Sequence, residues 1–86
     1  MNETQEKKSL SESDIEDVIQ SEEYMKIGKK TTLCLLTLKN GFEITGTSSC
    51  VSAKMYSSEI GKRLAREKAK DTIWLCEGYV LQKLLA

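Results

Sequence analysis

The dipeptide Asn40-Gly41 limits the possible folds of this chain more than any other feature. Asn-Gly is the strongest short sequence signal for a two-residue β-hairpin turn. It lies between two runs, TTLCLLTLK and GFEITGTSS, that are rich in β-branched and apolar residues. The pattern predicts two antiparallel strands, near residues 31–39 and 42–49.

A two-residue turn also fixes which residues of the two strands face each other. It would place Leu38 opposite Glu43 and Leu36 opposite Thr45. The first strand is apolar on both faces, whereas the second alternates between apolar and polar residues. Because an open edge of such a strand invites pairing, we expect the first strand to pair with its counterpart in a second copy. That pairing would make a continuous four-stranded sheet across a two-fold axis.

The segment before the hairpin predicts a helix. Residues 1–9 lack apolar periodicity and predict a disordered arm. Ser11 suits the N-cap position, because acidic residues follow it in the first turn. Ser13 with Glu16 offers a competing capping box two residues later. Gly28, which has lysines on both sides, is typical of a helix C-terminus, so the helix is expected to end there.

The segment after the hairpin predicts a long helix. Residues 58–85 contain no proline and have helical periodicity. A single helix of this length would measure about 42 Å, so we expect a kink or break between Trp74 and Gly78. Small residues recur at intervals of four, which would let the helix lie close to the sheet. They are Gly61, Ala65 and Ala69.

The chain is 86 residues long and therefore forms one small domain, which we place at residues 10–86. Its predicted class is α+β, in the order N-terminal helix, β-hairpin, long C-terminal helix. A core of this size stabilises a domain only marginally, so we expect a homodimer or higher oligomer. The sequence contains no apolar run long enough to span a membrane, and its first residues are too polar for a signal peptide. We therefore expect a soluble intracellular protein with no membrane partner.

The formal net charge is zero, but the charges are unevenly distributed. Residues 1–25 carry eight acidic and two basic side chains, whereas residues 26–86 carry eleven basic and five acidic ones. Such a chain favours either an anionic partner for its basic part or contact between that part and its own acidic part.

The sequence indicates no catalytic site and no metal site. It contains no histidine, so a serine or cysteine nucleophile would lack its usual base. The carboxylates in the second half lack the spacing of a metal site or a glycosidase pair. Cys34, Cys50 and Cys76 are odd in number and widely spaced, which indicates buried reduced thiols rather than disulfides or a zinc site. We expect a protein that is not an enzyme and uses no cofactor.

The candidate binding residues form a cationic helix face and a hydroxyl-lined strand. Arginine and lysine can bind phosphate groups, tyrosine rings can stack on a base, and hydroxyls can add hydrogen bonds. The cations could equally be a solvated helix face, and Trp74 and Tyr79 could be core anchors. The candidates are Lys62, Arg63, Arg66, Lys70, Tyr56, Tyr79, Thr45, Thr47 and Ser49.

Two segments, LKNGFEITGTSSC and EIGKRLAREKAKDTIWLCEGYVLQKL, together resemble a family of small proteins from tailed phages and prophages. The shared pattern is an NGF hairpin, a second strand that ends near a cysteine, and a helical segment containing IG, IW and EGY. The resemblance covers about residues 31–85. It is carried by Asn40, Gly41, Phe42, Gly46, Ser49, Cys50, Ile60, Gly61, Ala65, Ala69, Ile73, Trp74, Glu77, Gly78, Tyr79 and Leu81.

The resemblance implies a phage origin, an accessory role and a location in the host cytoplasm. Phage proteins of this size often act against host defences. Our first hypothesis is a counter-defence protein that sequesters a small anionic, nucleotide-type signal at subunit boundaries. The alternative is an inhibitor that occludes a host defence or nucleic-acid-handling protein, using its acidic segment 12–23 or its first strand. Binding of duplex nucleic acid is a third hypothesis.

Overall fold

The computed structural model describes residues 9–86, so nearly all of the arm predicted for residues 1–9 lies outside the described residues. The described chain contains two helices, three strands and a short 3-10 turn. The predicted α+β class is confirmed. In chain order the elements are α1 (Glu12–Asp17), β1 (Ile19–Ile27), β2 (Thr31–Leu38), β3 (Glu43–Ser49), the turn Ala53–Met55 and α2 (Ser58–Leu85).

Helix α1 is shorter than the sequence predicted. Ser11 is its N-cap, because the Ser11 hydroxyl accepts a hydrogen bond from the Asp14 amide at 3.3 Å. The Ser11 amide donates in return to Asp14 Oδ2 at 2.8 Å, which completes a capping box and excludes the competing start at Ser13. The predicted continuation of the helix to Gly28 is wrong. Residues 19–27 form β1 instead, because their backbone groups pair with β2.

Gly28 belongs to the turn between β1 and β2, where it has a φ of +67°. Glycine adopts this left-handed conformation without the steric cost that other residues meet. The turn pairs Ile27 with Thr31 and starts an antiparallel ladder that runs to Ile19 and Leu38. The lysines around Gly28 therefore lie at a hairpin turn and not at the end of a helix.

The sheet has three antiparallel strands in the order β1-β2-β3. Strand β2 is central, and both of its edges are hydrogen-bonded within the chain. The expected pairing of β2 with its counterpart in a second copy is therefore wrong, because β2 has no open edge. Its two faces differ in burial, because Cys34, Leu36 and Leu38 are buried on one face whereas Leu33 and Leu35 are half-buried on the other.

The predicted hairpin is confirmed, but its turn is longer than expected. Leu38 N donates to Phe42 O at 2.8 Å, and Gly41 N donates to Leu38 O at 2.8 Å. Gly41 has a φ of +91°, as the glycine of a three-residue hairpin loop requires. The loop consists of Lys39, Asn40 and Gly41.

The longer turn shifts every cross-strand pair by one residue. Leu36 faces Ile44 rather than Thr45, and Cys34 faces Gly46. Because side chains alternate between the faces of a sheet, this shift changes which residues share a face. Ile44 therefore joins the buried residues of β2 in the core, which are Cys34, Leu36 and Leu38.

Helix α2 lies across one face of the sheet and packs on β2 and β3. It is unbroken from Ser58 to Leu85, so the expected break between Trp74 and Gly78 is wrong. Ile73 is fully buried, and Trp74 packs at the margin of the core. The opposite face of the sheet is not covered by any described element.

Small residues bring α2 into direct contact with the backbone of β3. The predicted strip of Gly61, Ala65 and Ala69 is buried. Gly46 lies beneath it, and a Cβ at position 46 would be 2.4 Å from the Ala65 carbonyl oxygen and 2.4 Å from the Ala69 amide nitrogen. The absence of a side chain at Gly46 therefore sets the distance between helix and sheet.

Replacing Gly46 with alanine is expected to lower the free energy of unfolding by about 1–3 kcal/mol, because the added methyl group would overlap helix backbone. Gly78→Ala is the matched control. Apart from the neighbouring backbone of the helix itself, no atom lies within 4 Å of a Cβ at position 78, so alanine there should stabilise the helix by about 0.5–1 kcal/mol. Urea unfolding followed by circular dichroism measures both changes. A Gly46→Ala protein as stable as the parent would contradict the close approach.

Candidate functional site

The structure does not gather the predicted binding residues in one place. Three lie on β3, and all of them, Thr45, Thr47 and Ser49, are exposed on the strand face that points away from α2. Three others are spaced by four residues along the edge of α2 that faces β1 and α1. They are Lys62, Arg66 and Lys70.

Arg66 is bound by carboxylates of its own chain. Its Nη1 and Nη2 atoms donate to the two carboxylate oxygens of Glu16, each at 2.8 Å. Its Nε donates to Glu22 Oε1 at 2.8 Å. These hydrogen bonds, with a smaller contribution from Lys70, lower the pKa of Glu16 to about 2. The Arg66 hydrogen bond likewise lowers the pKa of Glu22.

Lys70 is buried, and it is also paired. Its ammonium group contacts a carboxylate oxygen of Glu12, Glu16 Oε2 at 2.9 Å and Glu67 Oε2 at 3.6 Å. The hydrogen bond to Glu12 raises the pKa of Lys70 above its usual range, so the ammonium group stays charged. The charge distribution predicted either an anionic partner for the basic part or contact with the chain's own acidic part. For Arg66 and Lys70, the structure shows the second.

Lys62 and Arg63 form no ion pair among residues 9–86. The Lys62 ammonium lies 5.6 Å from the centroid of the Tyr24 ring, at the long end of a cation–π contact. Tyr79 is 66% exposed, so it is not a core anchor. Trp74, in contrast, packs against the core, as the alternative interpretation of that residue predicted.

A cavity of about 110 Å³ opens at the N-terminus of α2, and we call it the N-terminal cavity. It contains two of the predicted residues, Ser49 and Tyr56. The Tyr56 hydroxyl is 2.8 Å from Thr32 Oγ1, which holds the ring in place. Other polar residues that line it are Lys30, Ser48 and Ser57.

The N-terminal cavity is electrically suited to an anion. The first amides of a long helix carry partial positive charge, and Ser57 caps α2 by accepting from the Ile60 amide at 3.3 Å. Lys30 lines the cavity, and its ammonium group donates to the nearby Val51 carbonyl at 3.3 Å. Lys26 lies 4.5 Å from the centroid of the Tyr56 ring, which adds a second cation beside the cavity.

Sequence reasoning missed Lys26 and Lys30 as site residues, because it assigned them to the end of a helix. The signal that could have found them is the run KIGKKTT, in which glycine and three lysines stand between two apolar or β-branched segments. That composition also fits a hairpin turn. Only the three-stranded sheet brings this turn beside the start of α2.

Three further features of the described residues are the absence of a metal site, the state of the cysteines and the absence of a membrane-spanning helix. Among residues 9–86, no group of cysteine and acidic side chains could hold a metal ion. The three cysteines are free thiols, and burial raises the pKa of Cys34. Within the same range, no helix combines the length and the apolar character that crossing a membrane requires.

The ion pairs of Arg66 should make stability depend on pH in acid. Because the pKa of Glu16 falls from 4.5 to about 2 on folding, its stabilising contribution is present above pH 4.5 and is lost as the pH falls towards 2. Glu16→Gln should therefore lower stability at neutral pH and flatten this acid dependence. Unfolding midpoints in urea between pH 2 and pH 7 measure the effect.

Glu43→Gln is the control for this experiment, because Glu43 is exposed and forms no ion pair among the described residues. It should leave the acid dependence close to that of the parent. An unchanged pH profile in Glu16→Gln would show that the ion pairs do not contribute measurably in solution.

Comparison with known proteins identifies the family. No curated protein and no solved structure matches this chain. A family model matches residues 10–85, which include every helix and strand described above. Since that match covers most of the chain, the protein belongs to the phage protein family described as N4 Gp49/phage Sf6 gene 66.

Proposed function

We propose that this phage protein is a non-enzymatic accessory protein that counters a host defence by sequestering a small anionic, nucleotide-type signal in the host cytoplasm. Membership of a phage protein family supports the phage setting. The observation that carries the ligand class is the meeting of Lys30, Tyr56 and the N-terminus of α2 in one cavity. These groups supply a cation, an aromatic ring and the positive end of a helix dipole, which together suit a phosphate joined to a base.

The size of the N-terminal cavity supports a site that two subunits share. Pockets for complete small ligands usually measure about 300–1,000 Å³. A cavity of about 110 Å³ accommodates a phosphate group but leaves the rest of a nucleotide outside it. In this proposal a second copy of the chain covers the exposed part, so that the protein acts as a homodimer or higher oligomer.

Two cations that follow the cavity-lining Gly61 in sequence extend the same proposal. Lys62 and Arg63 follow Gly61, which lines the cavity, and neither forms an ion pair among the described residues. Ser49 also lines the cavity, and its hydroxyl is 2.8 Å from the Thr31 hydroxyl. Arg66 and Lys70 have a different role here, because their hydrogen-bonding capacity is used to hold α1 against α2.

Calorimetry of the purified protein against a panel of cyclic and linear nucleotides tests this proposal. We expect heat and thermal stabilisation with at least one nucleotide. Lys30→Gln should weaken that binding by about tenfold or more, because a charge-assisted hydrogen bond contributes about 1.5–3 kcal/mol. Lys39→Gln is the control, since Lys39 is exposed at the opposite end of the sheet.

Two results would contradict the proposal. The absence of heat and of thermal stabilisation with every nucleotide would rule out the ligand class. Equal weakening by Lys30→Gln and Lys39→Gln would show non-specific attraction of anions, and would leave the N-terminal cavity without a role.

A second candidate function is an inhibitor that occludes a host protein, and the uncovered face of the sheet favours it. Met25 is 60% exposed and Ile27 is 44% exposed on β1, beside the half-buried Leu33 of β2. The acidic segment is less suited to docking, because Glu16 and Glu22 are engaged by Arg66. A stoichiometric host partner that is lost in a Met25→Glu variant would support this function over nucleotide binding.

A further inference from the structure

The C-terminal part of α2 extends beyond the sheet. Ile73 is the last buried residue of the helix. Glu77 reaches the hairpin turn at the edge of the sheet, where it shares a small cavity with Lys39 and Asn40. The described chain accordingly measures 54 Å along its longest axis and 21 and 19 Å along the others. We call residues 75–86 the overhang.

One line of apolar residues passes from the core into the overhang. Cys76, Val80 and Leu84 follow the buried Ile73 at spacings of three and four, which places all four on one side of the helix. Exposure rises along this line, from a half-buried Cys76 to 48% at Val80 and 77% at Leu84. Nothing among residues 9–86 covers its outer half.

Two charges flank this apolar line, and they are arranged symmetrically. Glu77 and Lys83 are the only acidic and basic side chains of the overhang, and each is three residues from Val80. They are six residues apart, too far for a pair within one helix. Neither forms an ion pair among the described residues. The Lys83 ammonium lies 5.7 Å from the Tyr79 ring centroid.

We propose that the overhang binds the overhang of a second copy as an antiparallel helix pair centred on Val80. A two-fold axis at Val80 brings residues equally distant from it together. Glu77 of each copy then meets the partner's Lys83, and Cys76 meets the partner's Leu84. Val80 packs against its own counterpart, so the exposed half of the apolar line is covered.

The charges favour a second copy in this orientation over other occupants. In a parallel pair, Glu77 would face Glu77 and Lys83 would face Lys83, and like charges in contact disfavour association. In the antiparallel pair both charges of each copy are neutralised. The inference concerns a different part of the molecule from the N-terminal cavity, and it does not depend on the proposed ligand.

Charge exchange tests the pairing directly. We expect the parent protein to sediment as a dimer or higher oligomer in micromolar solution without ligand. Glu77→Lys and Lys83→Glu should each raise the dissociation constant by about tenfold or more, because each places like charges together. The double variant Glu77→Lys/Lys83→Glu should restore association to within about threefold of the parent.

Asp71→Lys and Lys68→Glu are the matched controls, because they make the same changes of charge at exposed positions of α2 before the overhang. They should leave association unchanged, and circular dichroism should show that every variant remains folded. A monomeric parent protein would overturn the inference. A double variant that associates no better than the single variants would also overturn it.

A thiol cross-link supplies a second test that depends on the register of the pair. Leu84→Cys should form a disulfide-linked dimer on mild oxidation with diamide, between the introduced thiol and Cys76 of the partner. Adding Cys76→Ser to this variant should abolish that dimer. A cross-link that persists without Cys76 would contradict the proposal. Both tests use sedimentation or gel mobility without nucleotide, so their failure is distinct from failure of the proposed function.

Discussion

The contact between Gly46 and the backbone of α2 is the constraint on which the other features of this structure depend. It brings Ala65 and Ala69 against β3 with no side chain between them. The rest of the helix is then fixed relative to the sheet. Its N-terminus comes beside the β1–β2 turn, one of its edges faces α1, and its C-terminus extends past the β2–β3 turn.

The same placement of α2 explains why some of its cations form ion pairs with acidic residues of the same chain. Helix α1 has only six residues, too few to be stable alone in water. It is held by burial of Ile15 and by the ion pairs of Glu12 and Glu16 with α2. The acidic segment therefore neutralises the middle of α2. The cations without an ion pair in the described chain concentrate near the N-terminal cavity, which is why that end suits an anion.

A small core and two uncovered apolar surfaces explain why self-association is central to both proposals. Helix α2 covers one face of the sheet, and its last turns cover nothing within the described chain. Apolar area that remains in water contributes nothing to folding, so the proposed contact with a second copy would add stability by burying it. A site shared by two subunits would then couple ligand binding to assembly.

The sequence predicted some residues of the candidate site and missed others. Tyr56 and Ser49 were identified by their chemistry, and they do meet in the N-terminal cavity. Lys30 was assigned to a helix end, because its role depends on β1 being a strand. The pairing of Arg66 with Glu16 joins residues 50 positions apart, and no local pattern predicts contacts at that separation.

The sequence by itself determined the features that depend on neighbouring residues: the two hairpin strands, the Ser11 cap, the small-residue strip and the extent of α2. The tertiary structure alone decided that residues 19–27 are a strand, since their polar sequence gains its backbone partners only from β2. It also decided the hairpin register, because the three-residue turn places Ile44 and Gly46 on the face that α2 covers. Local propensities are weak compared with such long-range pairing and burial, which no short stretch of sequence contains.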